Sequence, residues 1–328
     1  MSDPPAVLAE QLVAVLSDTL GGEPAVEDLH RLTGGASRQT WSFDAVGADG
    51  ARRPLILRRD PPEAAPKGMR EEALAIMAAA RAGVPEPEIM AHSDDPSLLD
   101  APFIVMERVE GETLARRILR DEEFAAVRPR LAEQCGEILA RIHSIPLADV
   151  PGLDRPDVLA KLRETLGEFD DPSPALELGL RWLDQHRPEP TDDVVLHGDF
   201  RNGNLVVGPD GIRAVLDWEN VHRGDPMQDL GYLCVRAWRF GADEPVGGFG
   251  PYADLFRGYE RVSGRTVDAE IVRWWQLYGT VWWGVGCMRQ AWRHLSGSER
   301  SVELAAIGRR VWEQEYDVLL LLEDREAA

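Results

Sequence analysis

The amino-acid sequence predicts an α+β protein of two lobes, a small strand-rich lobe followed by a larger, mainly helical one. Its 328 residues exceed one ordinary small domain, and 44% of them are hydrophobic, enough for a full core. Strand-like runs surround a glycine turn in the first third of the chain, whereas amphipathic helical patterns dominate the rest. We place the lobe boundary so that residues 1–107 form the first lobe and residues 108–328 the second.

The N-terminal lobe is expected to begin with a helix, because apolar residues recur with helical spacing over residues 8–16. Two strand-like runs then flank a glycine-rich turn at residues 34–37, and a third strand is predicted at residues 54–59. A helical segment follows over about residues 69–82. The lobe ends with a buried strand over residues 103–106, where the sequence Phe-Ile-Val-Met is continuously apolar.

The C-terminal lobe is predicted to be mainly helical, with one strand pair near its middle. Amphipathic patterns cover residues 124–143, 155–168, 175–186, 226–240, 252–263 and 268–295. Apolar runs at residues 204–207 and 212–216 are joined by Gly-Pro-Asp-Gly, a favoured turn composition, which predicts a hairpin. Four tryptophans in the last helical pattern are expected to line the core rather than a substrate site: Trp274, Trp275, Trp282 and Trp283.

The predicted hairpin brings polar side chains to one end. Pairing Val207 with Ile212 across the turn sets Asn204 opposite Val215. Asp217 then emerges from the second strand at the same open end as Asn204. The two side chains are therefore expected to lie close together, although they are far apart along the hairpin.

Asp199 lies in the short loop before this hairpin, so two carboxylates and one amide oxygen are predicted to converge: those of Asp199, Asp217 and Asn204. Such oxygen ligands suit Mg²⁺, which proteins usually bind through one or two carboxylates together with substrate phosphates, whereas zinc would require Cys or His. Arg201 adds a cation two residues after Asp199 and is available to a phosphate oxygen. The sequence therefore predicts a site for magnesium and phosphate.

The same residues resemble the signature of a known family. His197-Gly198-Asp199, with Asn204 five residues after the aspartate and the run Leu-Asp-Trp-Glu at residues 216–219, is similar to the motifs of the aminoglycoside phosphotransferase and choline kinase-like family, relatives of protein kinases. The resemblance implies a two-lobed protein-kinase-like fold with a small antiparallel sheet. It also implies ATP, or alternatively GTP, bound with Mg²⁺ between the lobes, and transfer of the γ-phosphoryl group to a hydroxyl of a small molecule.

The resemblance also implies a role for each residue of this motif. Asp199 would orient or deprotonate the substrate hydroxyl, and Arg201 would stand near the transferred phosphate. Asn204 and Asp217 would be the Mg²⁺ ligands. His197 would stabilise the loop that carries the aspartate.

Two segments of the N-terminal lobe resemble nucleotide-binding parts of the family. The glycine turn at residues 34–37 resembles the turn that covers the nucleotide, where missing side chains let backbone N–H groups approach phosphates. Residues 106–111 resemble the hinge between the lobes, where adenine pairs with a backbone carbonyl and a backbone N–H. The residues that would make these contacts are Gly34, Gly35 and Ser37 in the turn and Glu107 (carbonyl) and Val109 (N–H) in the hinge.

Arg58 stands at the end of the third strand, where protein kinases place a phosphate-binding lysine. Arginine can clamp two phosphates bidentately, and strand alternation directs Arg59 to the other face. Glu72 on the following helix is expected to pair with Arg58, with Glu71 as the alternative. Arginine here resembles the kinase-like domains attached to some acyl-CoA dehydrogenases, and it leaves a second reading open, a catalytically weak nucleotide-binding regulatory module.

Two further motifs are predicted to have structural roles. The pattern Asp225-Pro-x-x-Asp229-Leu continues the family resemblance, and both carboxylates are expected to cap a helix start. His143, near the end of a helical pattern, matches a common family position and is expected to be structural rather than catalytic.

The amino-acid composition limits the classes of partner that the protein is expected to bind. The formal charge of −21 argues against a general nucleic-acid binder and suits a cationic acceptor such as an aminoglycoside, while hydroxylated acyl or amino metabolites stay open. Three widely spaced cysteines argue against a disulfide framework. No apolar run is long enough to span a membrane and no signal-peptide pattern is present, so we expect a cytoplasmic protein with a small hydroxylated substrate and no membrane or nucleic-acid partner.

Overall fold

A computed structural model of the chain describes residues 5–32, 38–61, 68–169, 173–189 and 191–323. The predicted nucleotide-contacting residues Gly34, Gly35 and Ser37 lie outside these ranges. Among the helices within them, none combines the length and the apolar character that a bilayer crossing requires.

The N-terminal part is a five-stranded antiparallel sheet with strand order β1-β2-β3-β5-β4. Its strands are β1 (Ala25–Arg31), β2 (Gln39–Val46), β3 (Arg52–Arg59), β4 (Ile89–Ser93) and β5 (Phe103–Glu107). The helices that accompany it are α1 (Pro5–Leu20), α2 (Arg70–Arg81) and the short α3 (Pro96–Leu99). The sheet confirms the predicted small antiparallel lobe, and β4 is an addition, because the proline-rich sequence before it gave no strand pattern.

The two faces of this sheet are covered by different helices. Leu55 and Leu57 of β3 pack in one apolar cluster with Leu8, Leu12 and Leu16 of α1. Ile56, between them in sequence, packs on the opposite side with the cluster that includes Ala73 of α2. Because side chains alternate along a strand, the next residue on the α2 side is Arg58. The sheet therefore directs this arginine toward α2, as the alternation predicted.

The remainder of the chain is mainly helical. Its helices are α4 (Ala115–Arg120), α5 (Leu131–Ile142), α6 (Val158–Gly167), α7 (Pro174–Gln185), α8 (Met227–Leu233), α9 (Tyr252–Ser263), α10 (Ala269–Leu295), α11 (Val302–Gly308) and α12 (Val311–Leu322). Two short antiparallel strand pairs interrupt them, namely β6 (Val194–Leu196) with β9 (His222–Gly224) and β7 (Leu205–Gly208) with β8 (Gly211–Val215). The predicted helical lobe with one central hairpin is confirmed, and β6 with β9 forms a second pair beside it.

Two predicted helices are shorter than their patterns. The helix expected from residue 124 begins at Leu131, after two 3₁₀ turns, because Pro129 has no N–H to donate inside an α-helix. The pattern over residues 226–240 divides at Val235, whose ψ of 131° is extended, and continues as a 3₁₀ turn over Arg236–Arg239. The break allows the following turn to lie against the candidate site, where Trp238 contacts Arg201.

Glycines let the central helices approach closely. A Cβ at Gly136 of α5 would lie 2.1 Å from the carbonyl oxygen of Leu255 in α9, and a Cβ at Gly258 would lie 2.1 Å from that of Glu133. Any larger residue at either position would force the two helices apart.

The buried aromatic and thiol groups largely follow the prediction. Trp274 and Trp275 of α10 are buried, whereas Trp282 and Trp283 are only half-buried. The three cysteines are buried free thiols, as expected from their spacing: Cys135, Cys234 and Cys287.

Candidate active site

The hairpin β7–β8 carries the predicted site, with its register shifted by one residue. The prediction of Asn204 opposite Val215 is wrong, because Leu205 faces Val215. A β-bulge in the middle of the hairpin adds one residue to β8, which simple counting across the turn could not include. The N–H of Leu216 donates to the carbonyl of Asn204 at 2.8 Å. Asp217 therefore still follows at the predicted end of the hairpin.

Asp199, Arg201 and Asn204 form one hydrogen-bonded cluster. The Nε of Arg201 donates to Oδ1 of Asp199 at 3.1 Å. The Nδ2 of Asn204 donates to Oδ2 of the same carboxylate at 2.7 Å and to its backbone carbonyl at 3.0 Å. The Asp199 side chain is 14% exposed. Its carboxylate is therefore fixed in orientation and still reachable from the solvent.

Asn204 and Asp217 have the donor chemistry that Mg²⁺ requires. Because the amide nitrogen of Asn204 is used by Asp199, its Oδ1 is the atom left to coordinate a cation. The Asp217 side chain is 33% exposed, and Arg58 contacts its Oδ1. Within the part of the chain that the structure describes, no group of three or more His, Cys, Asp or Glu side chains could hold a metal. Asn204 and Asp217 instead fit a hard cation that shares its coordination with phosphate oxygens.

Asp217 adopts an unusual backbone conformation. Its φ of 70° and ψ of 59° lie in the left-handed region, which few residues other than glycine and asparagine enter. The next side chain, Trp218, is fully buried. The turn thus buries the indole beneath the site and leaves the Asp217 carboxylate at its surface, where Arg58 donates to it at 3.1 Å.

Arg58 lies between two carboxylates. Its NH1 donates to Oε1 of Glu72 and its NH2 to Oδ1 of Asp217. Glu72 of α2 is buried, with 3% of its side chain exposed, whereas Glu71 points to the solvent. The structure thus places Glu72, rather than Glu71, against Arg58. This contact joins the sheet and α2 to the end of the hairpin.

Arg38 is a second buried cation that the sequence reasoning did not identify. Its NH1 donates to the other oxygen of Glu72, and its Nε lies 3.4 Å from Oδ1 of Asp60. Burial, together with the nearby charge of Arg58, lowers the pKa of Arg38. The available signal was its position, directly after the glycine turn and before β2. Glu72 therefore holds two arginines beside the expected phosphate position.

Replacing Glu72 by alanine is expected to lower the free energy of unfolding by about 3 kcal/mol, because it leaves two arginines buried without their shared carboxylate. Chemical denaturation measures this loss. The matched control is Glu71→Ala on the same helix turn, where the exposed side chain is expected to contribute less than about 0.5 kcal/mol. Equal stabilities of the two variants would contradict the assigned network.

Asp229 holds the loop that carries Asp199. Its carboxylate accepts from the backbone N–H groups of His197 and Gly198 at 2.8 and 2.9 Å, and Nε2 of His143 lies 3.2 Å away. Burial opposes ionisation of Asp229, but its hydrogen bonds and the neighbouring histidines hold its pKa below the usual value.

The predicted capping role is wrong for Asp229, which lies inside α8, and correct for Asp225, which accepts from the N–H of residue 227.

His197 connects the loop to the end of β8 as a neutral ring. Its Nδ1 accepts from the N–H of Asp199 at 3.1 Å, so the proton resides on Nε2, which donates to the carbonyl of Leu216 at 3.1 Å. Burial lowers the pKa of His197. The ring therefore ties the Asp199 loop to the residue preceding Asp217.

We expect the stability of the protein to fall as the pH drops below about 6.5, the ordinary pKa of histidine. Below that value His197 binds a proton in the unfolded chain and stays neutral in the folded one, so protonation favours unfolding. Urea denaturation at pH 7.0 and at lower pH measures this loss of stability. The loss should be smaller in His197→Asn. It should persist in the control His186→Asn, because the ring of His186 is exposed. An identical pH dependence in both variants would contradict it.

Gly198 is required by the loop geometry. Its φ is +81°, and a Cβ at this position would lie 2.3 Å from the carbonyl oxygen of Asn220. The loop before Asp199 thus presses directly against the segment that follows Asp217. Only glycine combines this left-handed conformation with so close an approach.

One side of the cluster is aromatic. The guanidinium of Arg201 lies over the ring of Trp238, 4.7 Å from its centroid, and Trp283 packs on Trp238 at 5.0 Å. Burial and the neighbouring Asp199 raise the pKa of Tyr232 well above its usual value, so the phenol stays protonated as a hydrogen-bond donor. Trp282 lines a small cavity with Tyr232. The second tryptophan pair therefore borders the site rather than the deep core.

The predicted hinge connects the sheet to the hairpin. Glu107 ends β5, and its N–H donates to the carbonyl of Glu88 at 2.9 Å. Val109 follows in the connecting segment, and two hydrogen bonds of 2.9 and 3.0 Å then join Glu112 to Val207 of β7. The predicted hinge is thus attached to the hairpin that carries Asn204.

Comparison with known proteins identifies the family. The model of the phosphotransferase enzyme family matches residues 28–270. Aminoglycoside 3'-phosphotransferase of Streptomyces fradiae is 30% identical over 210 residues, which cover 60% of this chain and 73% of that enzyme. Acyl-CoA dehydrogenase family member 10 of Mus musculus is 31% identical over 205 residues, which cover 56% of this chain. The match spans only 18% of that longer protein.

Solved structures show the same fold. A candidate aminoglycoside phosphotransferase from Ralstonia eutropha superposes with a TM-score of 0.76 at 21% identity, covering 96% of this chain and 98% of its own. A choline/ethanolamine kinase family protein from Mesorhizobium loti gives a TM-score of 0.63 at 19% identity, covering 96% and 95%. These likenesses confirm the predicted protein-kinase-like fold. Because the family model covers more than half of the chain and includes the whole cluster from Asp199 to Asp217, the chain belongs to the phosphotransferase enzyme family.

Proposed function

We propose that this protein is a small-molecule kinase that transfers the γ-phosphoryl group of ATP, or of GTP, to a hydroxyl of a small acceptor. The observation that carries the proposal is the single cluster formed by Asp199, Asn204 and Asp217 where the hairpin ends beside Arg58. A base, two oxygen ligands and a phosphate-binding cation are the parts that phosphoryl transfer needs. A solved complex of aminoglycoside phosphotransferase APH(4)-Ia with AMP-PNP and hygromycin B, at 17% identity and a TM-score of 0.64, has the same fold.

Asp199 is the proposed catalytic base. Arg201 and Asn204 hold its carboxylate from two sides, so that one orientation is presented to the acceptor hydroxyl. The carboxylate accepts the hydroxyl proton as the oxygen attacks the γ-phosphorus, and the bond from that phosphorus to the bridging oxygen breaks to release the nucleoside diphosphate. Arg201 also supplies positive charge beside the transferred group, which is where negative charge accumulates.

Asn204 and Asp217 would hold Mg²⁺ through Oδ1 and the carboxylate, respectively. When bound, the cation would neutralise charge on the nucleotide phosphates. Arg58, fixed by Glu72, would bind the α- and β-phosphates, and Arg38 keeps the same glutamate in place from the other side. This chain thus fixes its phosphate-binding arginine with a buried ion-pair network.

The nucleotide would lie between the two proposed lobes, residues 1–107 and 108–328. Its adenine would pair with the carbonyl of Glu107 and the N–H of Val109, and Gly34, Gly35 and Ser37 would cover its phosphates. The attachment of the hinge to β7 supports this arrangement, because it holds the hinge segment beside the hairpin that carries Asn204. We place the activity in the cytoplasm, in keeping with three free thiols.

One contact favours a second function, a nucleotide-binding regulatory module with little transfer activity. Arg58 donates to Asp217 at 3.1 Å and so occupies an oxygen that a metal ligand would need. If this ion pair persisted with nucleotide bound, Mg²⁺ would be held weakly. An assay of ADP release separates the kinase from the regulatory module.

The test is ADP release from Mg-ATP across aminoglycosides, choline-like amines, hydroxy amino acids and hydroxyacyl thioesters, with Asp199→Ala as the blank. Acceptor-dependent ADP release that disappears in the variant is the result expected of the kinase. Binding of Mg-ATP with no ADP release on any acceptor would favour the regulatory module.

A further inference from the structure

A large cavity lies beside the catalytic loop. It has a volume of about 850 Å³ and opens between α4, the loop after α8 and the C-terminal helix α12. This volume lies within the range of sites that take up small molecules. The cavity is distinct from the hinge and from the expected phosphate position, so it is available to the acceptor.

The charge of this cavity is opposite to that of the whole protein. The chain carries a formal charge of −21, yet arginine outnumbers acidic residues among the lining side chains. The lining arginines are Arg116, Arg117, Arg236, Arg239 and Arg310. The lining acidic residues are Asp243, Glu313 and Asp317. The cavity wall therefore has a net positive charge on an acidic molecule.

Ion pairs engage three of the five arginines, including Arg117, which pairs with Glu112 beside the wall at 3.1 Å, and they leave Arg116 for a ligand. Two of the acids are already paired with arginines of the wall, Glu313 with Arg310 at 2.9 Å and Asp317 with Arg236 at 3.7 Å. Arg116 is exposed and makes no recorded ion pair or hydrogen bond within the described ranges. Its five N–H donors are therefore available to a ligand, and they suit a carboxylate or a phosphate.

The cavity is connected to the catalytic base through two aromatic side chains. Its lining residue Ala237 precedes Trp238, whose ring carries the guanidinium of Arg201, the partner of Asp199. Phe240, also in the lining, lies 3.9 Å from the position that a Cβ would take at Gly203 in the catalytic loop. A molecule seated in the cavity would therefore lie beside the loop that carries Asp199.

We propose that this cavity binds an anionic group of the acceptor, a carboxylate or a phosphate, while the acceptor hydroxyl lies at Asp199. The inference rests on the proposed kinase function and specifies its substrate class. The acceptor is then a hydroxylated anion, in contrast to the cationic acceptor that the overall composition suggests. Charge at the site decides recognition, because the surface charges elsewhere on the chain are screened over about 8 Å at physiological salt.

Two fluorescent probes that share a dansyl group and differ in charge test the inference on the full chain, without nucleotide. Dansylglycine carries a carboxylate and dansyl-ethylenediamine an ammonium group. We expect dansylglycine to bind at least about tenfold more tightly than dansyl-ethylenediamine. The Arg116→Glu substitution is expected to weaken the binding of dansylglycine about tenfold and so to remove this preference. The matched control is Arg120→Glu on the same helix, an exposed arginine that does not line the cavity and should leave binding unchanged.

Three outcomes would overturn the inference: equal or tighter binding of the cationic probe, no saturable binding of either, or the same loss in both variants. ADP release, measured in parallel, tests the proposed function separately. Binding of dansylglycine that depends on Arg116, without ATP consumption on any acceptor, would leave the anion site intact and refute the kinase. Phosphorylation of a cationic acceptor that is unchanged in Arg116→Glu would support the kinase and refute the anion site.

Discussion

Replacing Asp199 by asparagine is expected to lower the rate of phosphoryl transfer at least about a hundredfold while the fold persists. Asparagine keeps the shape of the side chain but only one oxygen acceptor, so it retains the hydrogen bond from either Arg201 or Asn204 and loses the other. It cannot accept the hydroxyl proton, because the negative charge is gone. The measurements are kcat/KM for the acceptor and the thermal unfolding transition.

The matched control for this substitution is Asp210→Asn at the tip of the same hairpin. Asp210 is 71% exposed and pairs with Arg213, three residues away, at 2.9 Å. We expect wild-type activity from this variant, since its side chain lies at the opposite end of β7 and β8 from the cluster. Wild-type turnover by Asp199→Asn would refute the assignment of the base.

The second large effect is expected from Asp217→Asn, which should lower the Mg²⁺-dependent affinity for nucleotide at least about tenfold. The amide oxygen of Asn204 is neutral, so Asp217 supplies the charge that the pair offers to the cation. Arg58 keeps Glu72 as a partner, and the fold is expected to survive.

Calorimetric titration with AMP-PNP, with Mg²⁺ and with EDTA, measures this prediction. Wild-type protein should gain affinity when Mg²⁺ is added, and Asp217→Asn should gain little. An equal gain in both proteins would show that Asp217 is not a metal ligand. No gain in the wild-type protein would favour the regulatory module, in which the Arg58 ion pair weakens the binding of the cation.

The sequence predicted the cluster through local features. Asp199 and Asn204 share one loop, and a turn of favoured composition returns the chain to Asp217. An error of one residue in the register did not matter, because both side chains lie beyond the last strand pair. The orientation of Arg58 was also predictable, since alternation along the strand decides on which face of the sheet its side chain lies.

Contacts between distant segments were outside the reach of sequence reasoning. Arg38 joins Glu72 across 34 residues, and Asp229 joins the N–H of His197 across 32, and neither pairing leaves a local pattern. Asp229 has the sequence context of a cap, and only the packing of α8 shows that its carboxylate reaches another loop. The basic cavity combines α4, one loop and α12, and therefore becomes visible only in the folded chain.

The central claim is that the γ-phosphoryl group of a nucleotide moves to an acceptor hydroxyl at Asp199. Incubation with ATP labelled at its γ-phosphorus, followed by isolation of the acceptor, tests it most directly. We predict label on an acceptor oxygen that requires Mg²⁺ and is absent with Asp199→Asn. Label that appears only in inorganic phosphate, or that reaches the acceptor equally well in the variant, would contradict the account.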